Sequence, residues 1–175
     1  MSTTRGIDFS RLSLRDALDL AVLIEEEARD RYVEFAEQME VHHTPEAARF
    51  FRFMSLNEEK HRAELAERRE QLFGAEPTAV SATMLFDVEA PEYDEARVFM
   101  TARQALGAAL RSERKAHAFF DGALQAVGDR GVRELFEELR EEEVEHQRLV
   151  QVELDKLPPD PRFEADDFAD EPVAH

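Results

Sequence analysis

The chain has 175 residues, with 22 Lys and Arg against 40 Asp and Glu and a formal net charge of −18. This length predicts one domain with room for an apolar core. The acidic balance argues against nucleic acid as a partner, because binding to nucleic acid requires a basic surface. No run of about 18 apolar residues occurs, so no membrane span is predicted. The N-terminus also lacks the apolar stretch of a secretory signal.

The chain contains no cysteine. This excludes disulfides, cysteine-ligated zinc and iron–sulfur clusters as parts of its chemistry. The composition is compatible with a reducing cytoplasm, which is the expected location. Ala, Leu, Glu and Arg are abundant while Gly and Pro are few, and this composition favours helices.

Two helices are predicted in the first half of the chain. Helix 1 is expected over about residues 14–40, with Ser13 as its N-cap. Helix 2 is expected to begin with Thr44 as N-cap and Pro45 at the first helical position, and to end near Gly74. The link between them is short, so the two helices should form an antiparallel hairpin.

The second half repeats this plan after a long connection over residues 75–90. Helix 3 is expected to begin near Pro91 and to end near Gly128. Helix 4 is expected to begin within residues 129–132 and to end before Pro158. These two helices should form a second antiparallel hairpin.

The predicted fold class is therefore all-α, an antiparallel four-helix bundle made of two helical hairpins with one long crossover. The bundle is expected over residues 13–157. An N-terminal tail of residues 1–12 precedes it, and an acidic flexible tail of residues 158–175 follows it. The tail could dock on a partner, although a flexible linker is the simpler interpretation.

Each predicted hairpin carries a lone glutamate on its first helix and a Glu-x-x-His pair on its second. All of these residues lie near the middle of their helices on an apolar seam, the helix face on which apolar residues recur at alternating steps of three and four. The candidate metal ligands are Glu25, Glu58, His61, Glu113, Glu143 and His146.

Four carboxylates in one core would repel each other and take up protons unless cations neutralise them. Two divalent metals supply four positive charges against the four negative ones. The i, i+3 spacing places a glutamate and a histidine side by side, so that one helix can offer both an oxygen and a nitrogen ligand. Mixed ligation of this kind suits iron or manganese better than calcium.

A Glu-x-x-His pair alone is weak evidence in a glutamate-rich chain. A third copy, Glu40/His43, lies at the end of helix 1 off the seam, and is interpreted as a surface or capping feature. Tyr32 lies two turns after Glu25 on the same seam. It is interpreted either as a core aromatic or as a hydrogen-bond partner near the metals. His117 is interpreted as a histidine at the edge of the core.

The segment from Glu25 to Tyr32 reads EEEARDRY and resembles the first-helix pattern Glu-x-x-Ala-Arg-x-Arg-Tyr of rubrerythrins. The two Glu-x-x-His pairs match the second- and fourth-helix ligand motifs of that branch, and Glu113 takes its third-helix ligand position. Over about residues 13–155 the chain is thus similar to the ferritin-like di-iron carboxylate proteins. The resemblance implies a ferritin-like bundle with two bound iron ions, and manganese or zinc as alternatives.

Two departures from the rubrerythrin pattern shape the expected function. Rubrerythrins carry another third-helix glutamate, associated with peroxide reduction, where this chain has Ala116. They also carry a rubredoxin-like domain with cysteine-ligated iron, which this chain lacks. The remaining ligand set resembles that of bacterioferritin-type ferroxidase centres. The chain also resembles the ferritin-like domains that precede membrane iron transporters.

The resulting hypothesis is a ferroxidase-type di-iron oxidoreductase in iron handling or oxidative-stress protection. Its expected partners are ferrous iron and oxygen or peroxide, and it is expected to form a homodimer or larger homo-oligomer. Glu25 and His61 would serve one iron, and Glu113 and His146 the other. Glu58 and Glu143 would lie between the two irons. The alternatives are a non-catalytic metal sensor or chaperone, a rubrerythrin-like peroxidase using an external electron donor, and an adaptor bundle with vestigial acids.

Overall fold

The computed structural model describes residues 7–84 and 101–159. A 3-10 turn, Phe9–Arg11, precedes the first long helices, and a second turn, Ala82–Met84, follows them. The four long helices are α1, Leu14–Val41; α2, Pro45–Phe73; α3, Ala102–Leu124; and α4, Arg130–Asp155. Helix α1 packs along α2, α3 packs along α4, and the two hairpins meet where α1 contacts α4. The prediction of an all-α bundle made of two hairpins is confirmed.

Side-chain caps fix where α1, α3 and α4 begin. Ser13 accepts a hydrogen bond from the backbone N–H of Asp16, and Asp129 accepts one from the backbone N–H of Val132. Thr44 occupies the predicted N-cap of α2 but makes no side-chain cap bond. Its hydroxyl instead donates to the Met39 carbonyl at 3.0 Å. Proline at the first helical position leaves one fewer backbone N–H to be capped.

The prediction that the third helix begins near Pro91 is wrong. Thr101 is extended, with φ −70° and ψ 160°, and forms a capping box with Gln104 that begins the helix at Ala102. A capping box satisfies two backbone N–H groups at once, so it defines a helix start more strongly than a proline does. The helix also ends at Leu124, before the expected Gly128. Pro91 and residues 85–90 of the predicted crossover lie outside the described residues.

The buried apolar side chains form two clusters, one toward each end of the bundle. The first cluster includes Leu18, Phe120 and Phe136, and the second includes Phe35 and Phe51. The N-terminal turn adds Phe9, whose ring lies edge-on to Phe136 at 6.4 Å between centroids. Polar residues at the middle of the helices therefore lie between two apolar layers. None of the helices in the described ranges is both long enough and apolar enough to cross a membrane.

Candidate metal centre

The six candidate ligands converge between the two apolar clusters. Five of them are at least 95% buried, which is unusual for charged side chains. His61 is the exception, with 21% of its side chain exposed. Helix α1 supplies Glu25, α2 supplies Glu58 and His61, α3 supplies Glu113, and α4 supplies Glu143 and His146.

The two Glu-x-x-His pairs face each other across the bundle. The i, i+3 spacing puts each histidine on the same helical face as its glutamate, one turn further along. The rings of His61 and His146 are consequently stacked, with centroids 5.4 Å apart and planes at 10°. The two motifs, which are far apart in the sequence, thus lie side by side in the folded protein.

Three sets of metal-binding side chains bring one donor atom from each member within 4.8 Å of the others. The outer sets share no residue with each other, and the middle set takes a histidine from each. The outer sets are Glu25, His61 and Glu142, and Glu113, Glu143 and His146; the middle set is Glu58, His61 and His146. The arrangement therefore offers two metal positions with Glu58 between them.

Several donor atoms in this group are buried without a hydrogen-bond partner. They include Oε2 of Glu25, Nδ1 of His61, Oε2 of Glu143 and Nδ1 of His146. Buried polar atoms are nearly always satisfied, because an unmade hydrogen bond costs about 1–3 kcal/mol. A cation within reach of these oxygen and nitrogen atoms would satisfy them together. The residues present therefore fit a pair of divalent metals of the iron or manganese kind.

The distances between donor atoms support the same assignment. Nδ1 of His146 lies 3.2 Å from Oε1 of Glu58 and 3.6 Å from Oε2 of Glu113. Nδ1 of His61 lies 4.0 Å from Oε2 of Glu25. Donors bound to one metal at about 2.1 Å are separated by roughly 3.0–4.2 Å, depending on the bond angle. These three distances lie in that range.

The electrostatics of the carboxylates show the cost of leaving the centre without cations. Burial, together with the adjacent Glu113, raises the pKa of Glu143 well above its ordinary value. Burial likewise raises the pKa of Glu25. Burial alone would also raise the pKa of Glu113, but contacts with His146, Glu143 and Tyr32 outweigh it and lower the pKa. Without metal, protons on some carboxyls balance the charge that cations would otherwise balance.

The two histidines differ in their surroundings. Burial and the nearby His146 ring lower the pKa of His61, which favours the neutral imidazole that binds metals. Burial also opposes a charge on His146, but the adjacent Glu113 carboxylate outweighs that effect and raises the pKa of His146. His146 is thus the more basic of the two rings in the metal-free centre.

Tyr32 is both a core aromatic and a partner of the centre. Its side chain is 1% exposed, and its hydroxyl donates a hydrogen bond to Oε1 of Glu113. Burial and the negative charge of Glu113 raise the pKa of Tyr32 well above its ordinary value, so the hydroxyl keeps its proton and remains a donor. The bond runs from α1 to α3 and holds one oxygen of Glu113 in place.

Replacing Tyr32 by phenylalanine should destabilise the protein by about 1–3 kcal/mol, because Glu113 loses a buried donor. The melting temperature should fall by roughly 2–4 °C for each kcal/mol. Ser55→Ala is a suitable control, because it removes a buried hydroxyl that donates to the Arg52 carbonyl within its own helix. Thermal unfolding that is no lower for Tyr32→Phe than for Ser55→Ala would contradict this role.

Glu142 is the one member of the three sets that the sequence analysis did not select. It lies on α4 with 32% of its side chain exposed, and its Oε2 is 3.7 Å from Nδ1 of His61. Burial, followed by repulsion from Glu25, raises its pKa to about 7. The signal in the sequence was its i, i+4 spacing from His146, which places both on one helical face. The surrounding run of glutamates concealed it.

The remaining histidine candidates lie away from the centre. Glu40 forms an ion pair with Arg52 at 2.7 Å, and His43 is exposed in the link between α1 and α2 with φ 57°. The third Glu-x-x-His copy is therefore a surface feature. His117 is half-buried on α3 and belongs to none of the three donor sets found in the described part of the chain.

Comparisons with known proteins agree with this architecture. The family model described as rubrerythrin matches residues 16–154. The crystal structure of an uncharacterized conserved protein from Magnetospirillum magnetotacticum MS-1 is similar, with a TM-score of 0.73 and 27% identity. That match covers 85% of this chain and 98% of the other. No curated protein matches the chain. Because the family model spans most of the sequence, including every helix that builds the candidate centre, the chain belongs to the rubrerythrin family.

Proposed function

We propose that the protein oxidises iron(II) with oxygen or peroxide at a di-iron centre, as part of iron handling or protection against oxidative stress. The observation that carries this proposal is that buried donor atoms without a hydrogen-bond partner on α1, α2 and α4 converge with the buried Glu113 of α3.

In this proposal each outer donor set holds one iron. Glu25 and His61 bind the first, Glu113 and His146 bind the second, and Glu58 and Glu143 lie between them. The position of Glu58 within reach of both histidines supports its bridging role. Glu143 belongs to the outer set with Glu113 and not to the middle set. Its proposed place between the metals therefore rests on the ability of a carboxylate to bind two metal ions.

Two iron(II) ions held here would supply the two electrons that reduce peroxide, or the first two that reduce oxygen. The protein contributes position and surroundings. Four carboxylates match the charge of two divalent ions, and the raised pKa values of Glu25 and Glu143 mean that loading displaces protons. The apolar clusters on either side limit access of water to the centre.

Ala116 favours iron oxidation over peroxidase turnover. It is 1% exposed and lies on α3 one turn after Glu113, the place where the rubrerythrin pattern has an additional glutamate. A methyl group there offers no oxygen to a metal. The centre therefore resembles the six-ligand arrangement more than the peroxidase one.

Stopped-flow absorbance after mixing the iron(II)-loaded protein with oxygen or peroxide tests the proposal. We expect two iron(II) ions per chain and oxidation faster than in protein-free buffer. Binding of two metals without faster oxidation would leave a sensor or chaperone as the function. Failure to bind any metal would favour an adaptor bundle.

Metal loading should also stabilise the fold. A ligand at 100 times its Kd stabilises the native state by about 2.7 kcal/mol per site. For a chain of this size one site should then raise the melting temperature by roughly 5–11 °C. Differential scanning calorimetry with cobalt(II) or manganese(II) measures this shift without redox chemistry. A melting temperature unaffected by either ion would contradict a preformed metal centre.

A further inference from the structure

The two halves of the candidate centre differ in their access to solvent. His146 has 4% of its side chain exposed, whereas His61 has 21%. Glu142 of α4 lies beside His61, with 32% of its side chain exposed and its Oε2 3.7 Å from Nδ1 of that ring. The half formed by Glu25 and His61 is therefore the open half, and Glu142 lies at its opening.

Glu142 and Glu25 each direct a carboxylate oxygen at His61. Oε2 of Glu142 lies 3.7 Å from Nδ1 of His61, and Oε2 of Glu25 lies 4.0 Å from that nitrogen. All three atoms are buried and have no hydrogen-bond partner. A separation of 3.7 Å is too long for a hydrogen bond. It is suitable for two donors on one metal, which are separated by roughly 3.0–4.2 Å when bonds are about 2.1 Å.

The sequence repeat between the hairpins shows that Glu142 belongs to one half only. The residue before Glu143 is Glu142, whereas the residue before Glu58 is Asn57. Conversely, the residue seven positions after Glu25 is Tyr32, whereas the one seven positions after Glu113 is Phe120. The enclosed half thus receives the Tyr32 hydroxyl on Glu113, and the open half receives an additional carboxylate.

We propose that Glu142 is a seventh protein ligand, which binds the metal held by Glu25 and His61 and closes the open side of the centre. This inference rests on the proposed di-metal function. Glu25 is 2% exposed and directs its unpartnered oxygen at the same point, so the position does not depend on a surface cluster of acids. The additional carboxylate makes the two metal positions chemically unequal.

Anaerobic titration with cobalt(II) tests the assignment, because its visible spectrum reports the coordination number at each position. Wild type should bind two ions per chain. Glu142→Gln should still bind two, with the affinity of one position weakened on the order of 10- to 100-fold and its spectrum altered. Glu141→Gln is the matched control, because it removes the same charge from the adjacent, exposed position and should bind as wild type does.

Double variants, in which one half of the centre is already disabled, show at which metal position Glu142 acts. In Glu25→Gln, the further change Glu142→Gln should cost little affinity, whereas in Glu113→Gln it should cost as much as in wild type. Equal binding by wild type and Glu142→Gln would overturn the inference and leave the di-metal proposal intact. Equal weakening of both positions would also overturn it. A wild type that binds no cobalt(II) would instead remove the di-metal proposal and this inference together.

Discussion

Replacing Glu58 by glutamine is expected to abolish binding at both metal positions, with a loss of affinity of at least about 100-fold at each. Glu58 is 1% exposed and is the carboxylate that lies with both His61 and His146. An amide cannot supply the negative charge that two divalent ions would share in the proposed centre. Isothermal titration calorimetry with cobalt(II) or anaerobic iron(II) measures both positions in one experiment.

In the metal-free protein, Glu58→Gln should instead increase stability. A neutral amide costs less to bury than a carboxylate, so the free energy of unfolding of the metal-free protein should rise on the order of 1 kcal/mol. The surface copy of the motif supplies a control, Glu40→Gln with His43→Ala, which should leave metal binding unchanged. Retention of two tight sites in Glu58→Gln would contradict the bridging role. A fall in the stability of its metal-free form would contradict the argument from burial.

Truncating Phe136 to alanine is expected to have the largest effect on stability. The side chain is 0% exposed and packs edge-on to Phe120, with ring centroids 5.4 Å apart. Removing a buried phenylalanine costs about 3–5 kcal/mol, because the cavity left behind closes only partly. The melting temperature should fall by roughly 6–20 °C, as measured by circular dichroism.

Phe53→Ala is the matched control for this truncation, because Phe53 lies on the outer face of α2 and is 48% exposed. It should change the free energy of unfolding by less than about 0.5 kcal/mol. Below its melting temperature Phe136→Ala should still bind two metals, since Phe136 belongs to the first apolar cluster and not to the centre. Equal destabilisation by the two variants would show that the first cluster is not the main source of stability.

The fold and the convergence of the six candidate ligands could be predicted because the same periodicity determines both. A glutamate on an apolar seam is a conflict between local chemistry and burial, and such conflicts indicate function. On the apolar seams of their helices, Glu25 and Glu113 are single charges among apolar residues, so each stands out once the seam is traced. The regular spacing of seam positions then places Glu25 and Glu113 at one level of the bundle.

Two features could not be predicted, each for a physical reason. The start of α3 depends on the backbone conformation of Thr101 and on its reciprocal bonds with Gln104, which compete with the helix-start signal of a proline. Glu142 lies beside the seam in a run of three glutamates, and only the packing of α4 against α2 shows which of them turns inward. Periodicity predicts the face of a helix, but not the side chains at its edges.

The division of ligands between hairpins also bears on how the protein acquires metal as it is synthesised. His61 and His146 are 85 residues apart, so at about 5–20 residues per second roughly 4–17 seconds separate their appearance. Until Glu113 is added, the nascent chain carries only Glu25, Glu58 and His61 of the seven proposed ligands. We expect tight binding to begin only when α4 docks, so that premature capture of metal by an unfinished chain is avoided. Completion of the last helix would then also complete the metal site.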